Sequence, residues 1–251
     1  MCGKGGVGKT AVTALMTKIL VRSGSGLKLL AIDADPAMGL PNTLGVSVKR
    51  NMGEVRDEII RTARTAKKER KIELADMLDY MVFEALTELE GYSLIAMGRS
   101  EAEGCFCPVN DLLRGAIEDL SKSFDILLID GEAGLEQINR KVIRNIDTLI
   151  AVTDLSARGF QVVDTIKRIA QTRSVVRCKR LGLVINRVKG GDEEQIRRSA
   201  QQIGLETLAF IPEDENIARY DLIGKPIFDI EDNSPGVVAV REIVERLKLL
   251  S

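Results

Sequence analysis

The stretch GKGGVGKT, residues 3–10, carries the strongest structural signal in this sequence of 251 residues. It fits the pattern G-x-x-x-x-G-K-[ST], in which glycines let the backbone curl until successive N–H groups converge on phosphate oxygens. Lys9 opens a helix whose dipole adds to its own charge on the β- and γ-phosphates, and the Thr10 hydroxyl is a ligand for Mg²⁺. The residues expected at the phosphates are Gly3, Gly5, Gly6, Val7, Gly8, Lys9, Thr10 and Ala11.

The composition excludes several classes of protein. Lys and Arg number 36 against 37 Asp and Glu, so the net charge of −1 offers no general attraction to nucleic acid or to anionic lipid. The chain has no apolar run of about 18 residues, as a membrane-spanning helix needs, and no secretory pattern at its start. We therefore expect a cytoplasmic protein with neither nucleic acid nor a membrane as its partner.

Short aliphatic runs alternate with segments of helical period, which is typical of βα units around a parallel sheet. The candidate strands are residues 27–33, 93–98, 124–130, 148–153, 180–186 and 207–212. The candidate helices are residues 9–22, 53–68, 72–89, 109–122, 159–172, 192–203 and 236–249. Many of the strands are apolar almost throughout, as expected when helices cover both faces of a sheet. The sequence predicts an α/β fold of the P-loop type, with a mostly parallel sheet and a single domain over residues 1–251.

The start of the sequence departs from this pattern, because only Met1 and Cys2 precede the phosphate-binding loop. Each buried aliphatic side chain of a central strand contributes roughly 1.5–3 kcal/mol. Five such residues rival the total stability of a typical domain, about 5–15 kcal/mol. We therefore expect that the first strand is missing or truncated before residue 3 and that the native chain begins upstream. Intact-mass measurement of the protein from its native source tests this expectation.

Two of the apolar runs end on carboxylates. FDILLID, residues 124–130, ends at Asp130, and a carboxylate in that position holds Mg²⁺ in P-loop enzymes. AIDADP, residues 31–36, places Asp33 and Asp35 at the same carboxyl edge of the sheet. A carboxylate there can orient or deprotonate an attacking water molecule, although each Asp taken alone could equally be a loop or capping residue.

The presence of Lys4 in addition to Lys9 makes KGGVGKT resemble the deviant Walker A motif of the MinD, ParA, ArsA and nitrogenase iron-protein class. The resemblance implies that Lys4 reaches across a nucleotide-sandwich dimer to the phosphates of the partner subunit. It also implies that Asp35 acts on the attacking water in switch I, and that Asp130 and Gly134 belong to switch II.

The same resemblance implies an adenine site and its cofactors. Asn186 in VINRV matches the asparagine that reads the adenine edge, and FIPED, residues 210–214 with Pro212, resembles the loop beside it. The cofactors implied are ATP or ADP with Mg²⁺. The match covers most of the chain, but the class spans cell division, plasmid partition, anion pumping and metal delivery.

GCFCP, residues 104–108, places two of the four cysteines two positions apart in a chain without histidine. In an extended segment residues i and i+2 point the same way, about 6.6 Å apart along the chain, so Cys105 and Cys107 can face one ion. Pro108 is typical of the first turn of a helix, and the N-terminus of a helix lowers the pKa of a thiol. The pattern favours a pair of metal ligands, while a redox disulfide and two inert packing thiols remain open.

Two thiolates make only half of a tetrahedral site for a soft metal ion. Cys2 lies beside the phosphate-binding loop and Cys178 begins a different strand, so neither is an obvious third ligand. A second copy of the chain would complete the site with four thiolates on a two-fold axis. We therefore expect a homodimer in which metal binding and nucleotide binding act on one equilibrium.

The wider stretch GRSEAEGCFCPVNDLLR, residues 98–114, and DGEAGLEQI, residues 130–138, resemble the CooC-type ATPases that mature carbon monoxide dehydrogenase. The resemblance implies an ATPase that binds Ni²⁺ or Zn²⁺ between subunits and couples ATP hydrolysis to nickel insertion. It implies carbon monoxide dehydrogenase or acetyl-CoA synthase as the client enzyme. A positioning ATPase of the MinD/ParA kind and an iron–sulfur carrier or reductase remain as alternatives.

Overall fold

The computed structural model describes residues 1–65, 77–101, 107–132, 145–172, 177–190 and 193–250. The strands in these ranges are β1 (Cys2–Gly3), β2 (Leu29–Asp33), β3 (Thr87–Leu89), β4 (Tyr92–Ala96), β5 (Ile126–Asp130), β6 (Asn145–Thr153), β7 (Arg177–Val188) and β8 (Glu206–Pro212). The helices are α1 (Lys9–Arg22), α2 (Gly39–Leu44), α3 (Met52–Thr65), α4 (Leu78–Glu84), α5 (Cys107–Ser121), α6 (Ala157–Thr172), α7 (Glu193–Ile203), α8 (Glu215–Ile223) and α9 (Pro235–Arg246), with a 3₁₀ turn at Ile227–Asp229.

The described strands form two four-stranded sheets, in the orders β3-β4-β2-β5 and β1-β6-β7-β8. All neighbouring strands are parallel except β3 and β4, which are antiparallel. Met1 joins the two sheets, because its amino group donates to the Ile129 carbonyl at 2.6 Å and its own carbonyl accepts from the Gly131 N–H at 3.1 Å. The next two residues, Cys2 and Gly3, pair with β6. The predicted mostly parallel sheet is confirmed.

Helices cover both faces of the sheet, because alternate residues of each strand point to opposite sides. On β2, Leu29 and Ala31 pack in the cluster that holds α1, α2, α8 and α9, whereas Leu30 and Ile32 pack against α3, α4 and α5. On the same face as α3, α4 and α5, the helices α6 and α7 cover β6 and β7. This arrangement explains why the strand sequences are apolar at nearly every position.

The segment before β4 corrects one expectation. The sequence predicted a helix over residues 72–89, but Thr87–Leu89 is the strand β3, and residues 72–76 lie outside the described ranges. A two-residue turn joins β3 to β4, and Gly91 in that turn has a φ of +84°, a conformation that favours glycine. The prediction of a helix was therefore wrong at its C-terminal end.

The strand that the pattern requires before the phosphate-binding loop is the two-residue β1. It pairs with Ala151 and Val152 of β6, so the loop leaves the sheet between β5 and β6. None of the helices in the described ranges combines the length and the apolar character that a bilayer crossing requires.

Candidate functional site

The phosphate-binding loop runs from the end of β1 into α1, and two of its glycines are fixed by close neighbours. A Cβ atom on Gly3 would lie 2.1 Å from the Val152 carbonyl oxygen, and one on Gly8 would lie 2.4 Å from Nδ2 of Asn186. Both glycines have positive φ angles, +146° and +89°, which disfavour other residues. The glycine pattern in the sequence is thus explained by backbone conformation and by the absence of space for a side chain.

Lys9 is folded into the loop that it closes. Its Nζ donates hydrogen bonds to the carbonyl oxygens of Gly3 at 3.3 Å and of Lys4 at 3.1 Å, and the residue is only 9% exposed. The positive charge therefore lies inside the curve of the loop, where the sequence predicts that phosphate oxygens bind.

Lys4 points away from the loop toward the end of β6. Its Nζ donates to Oδ2 of Asp154 at 3.1 Å and to Oγ of Ser156 at 3.2 Å. Burial opposes ionisation of Asp154, but hydrogen bonds from Ser156 and Lys4 hold the pKa of its carboxyl below the ordinary value. The side chains of Lys4 and Asp154 are 34% and 26% exposed, so this ion pair remains accessible to solvent.

Two oxygen groups meet at the predicted Mg²⁺ site. The Thr10 hydroxyl donates to Oδ2 of Asp130 at 2.6 Å, and the Thr13 hydroxyl lies 3.4 Å from Oδ1 of the same carboxylate. Burial raises the pKa of Asp130, although the bond from Thr10 acts in the opposite direction. Mg²⁺ binds hydroxyl, carboxylate and water oxygens, so Thr10 and Asp130 form a donor set that fits this ion.

The two acidic residues after β2 have different surroundings. Asp33 is fully buried, and its carboxylate accepts the backbone N–H groups of Asp35 and Leu40, each at 2.9 Å. Burial raises the pKa of Asp33 to about 6. The Asp35 carboxylate accepts a local N–H, from Ala37, and lines the large cavity described below. Asp33 therefore fixes the path of the loop, and Asp35 is the carboxylate placed to meet a ligand.

Asn186 connects β7 to the phosphate-binding loop. Its Nδ2 donates to the Val7 carbonyl at 2.8 Å, and its Oδ1 accepts the Arg187 N–H at 2.9 Å. An asparagine amide has two N–H donors, and the bond to Val7 uses one of them. The expected contact of Asn186 with an adenine edge stays a prediction, and the structure adds a role in holding the loop.

A cavity of about 880 Å³ brings most of the predicted residues together. The predicted residues in its lining are Gly5, Gly6, Gly8, Lys9, Thr10, Ala11, Asp35, Asn186 and Pro212. The lining does not include Gly3, Lys4, Val7 or Asp130. The cavity is large enough for a nucleoside triphosphate and extends from the loop to α8.

Several residues of this region are not marked by any of the sequence motifs. Asp154 follows an apolar strand, which is the signal that identified Asp130, but its pairing with Lys4 spans 150 positions. Tyr220 and Lys225 line the far end of the cavity, where Lys225 Nζ donates to the Tyr220 hydroxyl at 3.3 Å. No local pattern in the sequence marks these two residues.

The cysteines fall in three different settings. Cys107 is the first residue of α5, two positions before the predicted start at residue 109, whereas Cys105 and Gly134 lie outside the described residues. Cys2 is fully buried, and burial raises the pKa of its thiol to about 11, which keeps it protonated. Cys178 is part-buried in β7, paired with Ile146 of β6. Among the described residues, no group of three or more Cys, Asp or Glu side chains is arranged to hold a metal ion.

Comparisons with known proteins agree with this geometry. The CobQ/CobB/MinD/ParA nucleotide binding domain matches residues 1–227. An uncharacterised ATP-binding protein of Methanocaldococcus jannaschii is 38% identical, over 98% of this chain and 96% of that protein. The carbon monoxide dehydrogenase accessory protein CooC of Rhodospirillum rubrum is 29% identical, over 91% of this chain and 88% of that protein. Among solved structures, the chain is similar to the septum site-determining protein MinD from Pyrococcus horikoshii, complexed with Mg-ADP, with a TM-score of 0.68 at 24% identity. The similarity covers 100% of this chain and 94% of that chain.

Proposed function

The chain belongs to the CobQ/CobB/MinD/ParA family of nucleotide-binding ATPases, and from that premise we propose that it is an ATP-dependent metallochaperone. Its cargo is Ni²⁺ or Zn²⁺, held by Cys105 and Cys107 at a homodimer interface. Its client is carbon monoxide dehydrogenase or the related acetyl-CoA synthase. The observation that carries the proposal is the position of Cys107, which opens α5 at the carboxyl edge of the sheet, the edge that also holds the phosphate-binding loop.

The nucleotide chemistry follows from the loop and the two strand ends beside it. Lys9 places a positive charge at the phosphates, and Asp35 lines the cavity where it can orient the attacking water. Thr10 and Asp130 would hold Mg²⁺, which when bound neutralises part of the phosphate charge. Positioning and charge stabilisation account for most of the catalysis of phosphoryl transfer, and this set of residues supplies both.

The proposed dimer requires Lys4 to change partners. The ion pair with Asp154 is partly solvent-exposed, and pairs of this kind contribute only about 0–1 kcal/mol. Exchange of Asp154 for the phosphates of a nucleotide on the second subunit therefore costs little. MinD/ParA-like ATPases often dimerise, which supports this arrangement.

The metal site supplies the second half of the proposal. Two Cys-x-Cys pairs on a two-fold axis give the four thiolates of a tetrahedral site, and structural metal sites of this kind are worth on the order of 10 kcal/mol. Because the metal and the nucleotide would each favour the dimer, each would change the affinity for the other. Such coupling lets ATP binding and hydrolysis control the binding and the release of nickel.

Activation of nickel-free carbon monoxide dehydrogenase tests this function. We expect the nickel-loaded chain with Mg·ATP to restore CO oxidation, and a Cys105→Ser/Cys107→Ser double variant to fail at the same nickel concentration. Cys178→Ser is the matched control, because it removes a thiol from β7 and should behave as the unsubstituted chain. Equal activation by the double variant, or activation that needs no ATP, would refute the proposal for this client.

A positioning ATPase of the MinD/ParA kind is the second candidate, favoured by the match of residues 1–227 to a family that includes MinD and ParA. The similarity to the solved structure of MinD, at 24% identity, shows the fold alone. The second candidate gives the paired cysteines no role. A pull-down with anionic liposomes and with DNA, each with and without ATP, separates the two. ATP-dependent retention on either surface, unchanged by the cysteine substitutions, would favour the positioning ATPase.

A further inference from the structure

Arg187 lies at the end of β7 in a backbone conformation that arginine rarely adopts. Its φ angle is +57°, in the left-handed region that favours glycine and asparagine. The pairing of β7 with β8 changes register between Ile185 and Val188, and the Arg187 N–H donates to Oδ1 of Asn186 at 2.9 Å. An irregularity of this kind re-aims a side chain, and residues held in a sparsely populated conformation cluster at functional sites. The backbone at this position therefore points to a role for the Arg187 side chain.

The side chain of Arg187 is exposed and lines the cavity of about 880 Å³ that contains the predicted phosphate site. Two lysines in the same lining are bound by the protein itself, since Lys9 donates to carbonyl oxygens of the loop and Lys225 donates to a tyrosine hydroxyl. The carboxylate of Glu213, also in the lining, lies 3.4 Å from Nζ of Lys189. Across the described ranges, the Arg187 guanidinium has neither a hydrogen bond nor an ion pair, so its faces and its donors are open to a ligand.

The order of the strands separates Arg187 from the phosphate-binding loop. The loop leaves the sheet at β1, and the order β1-β6-β7-β8 puts the end of β7 two strands away. Neighbouring strands lie about 4.8 Å apart, so these two strand ends are about 10 Å apart. Pro212 of β8 pairs with Val188 and lines the same part of the cavity. A nucleotide whose phosphates bind the loop therefore brings its ribose and base to the end of β7.

We propose that the Arg187 guanidinium stacks on the face of the bound nucleobase. A guanidinium group is planar, permanently charged and weakly hydrated, and it binds aromatic faces by cation–π attraction. The base is the aromatic part of a nucleotide, and Arg187 is the cation that lines the cavity where the base arrives. The inference concerns the nucleotide site alone, so it holds whether or not the chain carries a metal ion.

Arg187 and Asn186 act on different parts of the base. Every base has an aromatic face, so stacking on Arg187 adds affinity with little choice between bases. An amide recognises hydrogen-bonding groups, so selection of one base belongs to its edge, where Asn186 is predicted to bind. The base takes no part in hydrolysis, so the stacked contact is as strong in the ground state as in the transition state. It therefore lowers the KM for ATP without changing kcat.

The test measures Mg·ADP affinity by isothermal titration calorimetry in the unsubstituted chain and in Arg187→Asn and Arg187→Gly. Both replacements accept a positive φ angle, so they remove the guanidinium without adding backbone strain. We expect the dissociation constant to rise by about tenfold in each variant, the effect of losing a cation–π contact that is shielded from water. The kcat for ATP should stay within about twofold, and the melting temperature should not fall, because the new residues suit the backbone better.

Mg·pyrophosphate separates contact with the base from contact with the phosphates. It carries no base, so its affinity should agree within about twofold in all three proteins. The ratio of ADP to GDP affinities should also stay within about twofold in Arg187→Asn, because stacking tolerates any base. Arg187→Lys keeps the charge but loses the planar group, so it should restore only part of the ADP affinity.

Lys189→Asn is the matched control. Lys189 is an exposed cation two positions further along the chain, it pairs with Glu213, and the cavity lining does not include it. This variant should bind Mg·ADP as the unsubstituted chain does. An equal loss of affinity in Lys189→Asn and Arg187→Asn would show a general effect of surface charge, and would overturn the stacked contact.

Three further results would overturn the inference. One is an unchanged ADP affinity in Arg187→Asn and Arg187→Gly. Another is a loss of pyrophosphate affinity as large as the loss for ADP, which would place the guanidinium at the phosphates. The third is a fall in melting temperature together with the affinity, because that describes a residue that only supports the fold. None of these measurements involves nickel, so the proposed metallochaperone function stands or fails separately.

Discussion

The hydroxyl group of Thr10 donates a 2.6 Å hydrogen bond to the Asp130 carboxylate, joining residues that lie 120 positions apart in the sequence. One stands in the first turn of α1 and the other at the end of β5, and the parallel sheet brings both to the same edge. The two oxygen groups proposed to hold Mg²⁺ are thus already adjacent.

Removal of either oxygen should disable hydrolysis. We expect Thr10→Val and Asp130→Asn to lower the kcat for ATP by about 10²–10³, the usual cost of losing a group that stabilises transition-state charge. A Mg²⁺ titration of ATPase activity measures the effect. Thr17→Val is the matched control, since within the described ranges the Thr17 hydroxyl donates to the Thr13 carbonyl of the same helix and makes no contact with Asp130. Full activity in Asp130→Asn would show that the metal is held elsewhere.

Loss of Asp154 should make the dimer form more readily. In the proposed dimer Lys4 leaves this carboxylate to reach the partner subunit, so Asp154→Ala would remove a competitor worth up to about 1 kcal/mol. The dimer dissociation constant with Mg·ATPγS should fall by up to about fivefold for each subunit, as measured by analytical ultracentrifugation. Lys4→Ala should raise the same constant, and an unchanged value in both variants would contradict the exchange.

The pH dependence of stability should carry a signature of Asp33. Burial raises its pKa in the folded protein to about 6, above the ordinary 3.8, so the folded state binds this proton more tightly than the unfolded state. The contribution of Asp33 to stability is therefore fully present below about pH 4 and declines as the pH rises through 6. Urea denaturation gives the free energy of unfolding of the unsubstituted chain and of Asp33→Asn. As the pH rises through this interval, the free energy of unfolding of the unsubstituted chain should fall relative to that of the variant.

A methyl group on Gly8 should damage the loop. A non-glycine residue in this conformation costs about 1–2 kcal/mol, and the new Cβ would collide with the Asn186 amide. We expect Gly8→Ala to weaken binding of a fluorescent ATP analogue by about tenfold or more. Gly115→Ala is the control, because no atom lies within 4 Å of a Cβ at that helical position and binding should not change.

The sequence predicted those parts of the fold that depend on local pattern. The helix expected over residues 9–22 is Lys9–Arg22, because the glycine-rich loop marks its start. The strand expected to end at Asp130 does so, because an unbroken apolar run marks it. It missed α2 and α8, since helices of six and nine residues have too few turns to show a period.

The candidate site, too, was predicted only where a local motif marks its residues. The loop, Asp35 and Asn186 were found from motifs, but the ion pair of Lys4 with Asp154 and the hydrogen bond of Asn186 to Val7 were not. These contacts join residues separated by 150 and 179 positions. Only the packing of strands and helices brings them together, so no spacing rule in the sequence reveals them.

Metal stoichiometry and molecular mass, determined together on one sample, test the central claim most directly. The chain is loaded with Ni²⁺ and Mg·ATPγS, separated by size-exclusion chromatography with light scattering, and its nickel content is measured in each fraction. We predict a dimer that carries one nickel ion for each pair of chains, and nickel-free protein for the Cys105→Ser/Cys107→Ser variant. A monomer that holds nickel, or equal nickel in both proteins, would contradict a site built from two copies of the thiol pair.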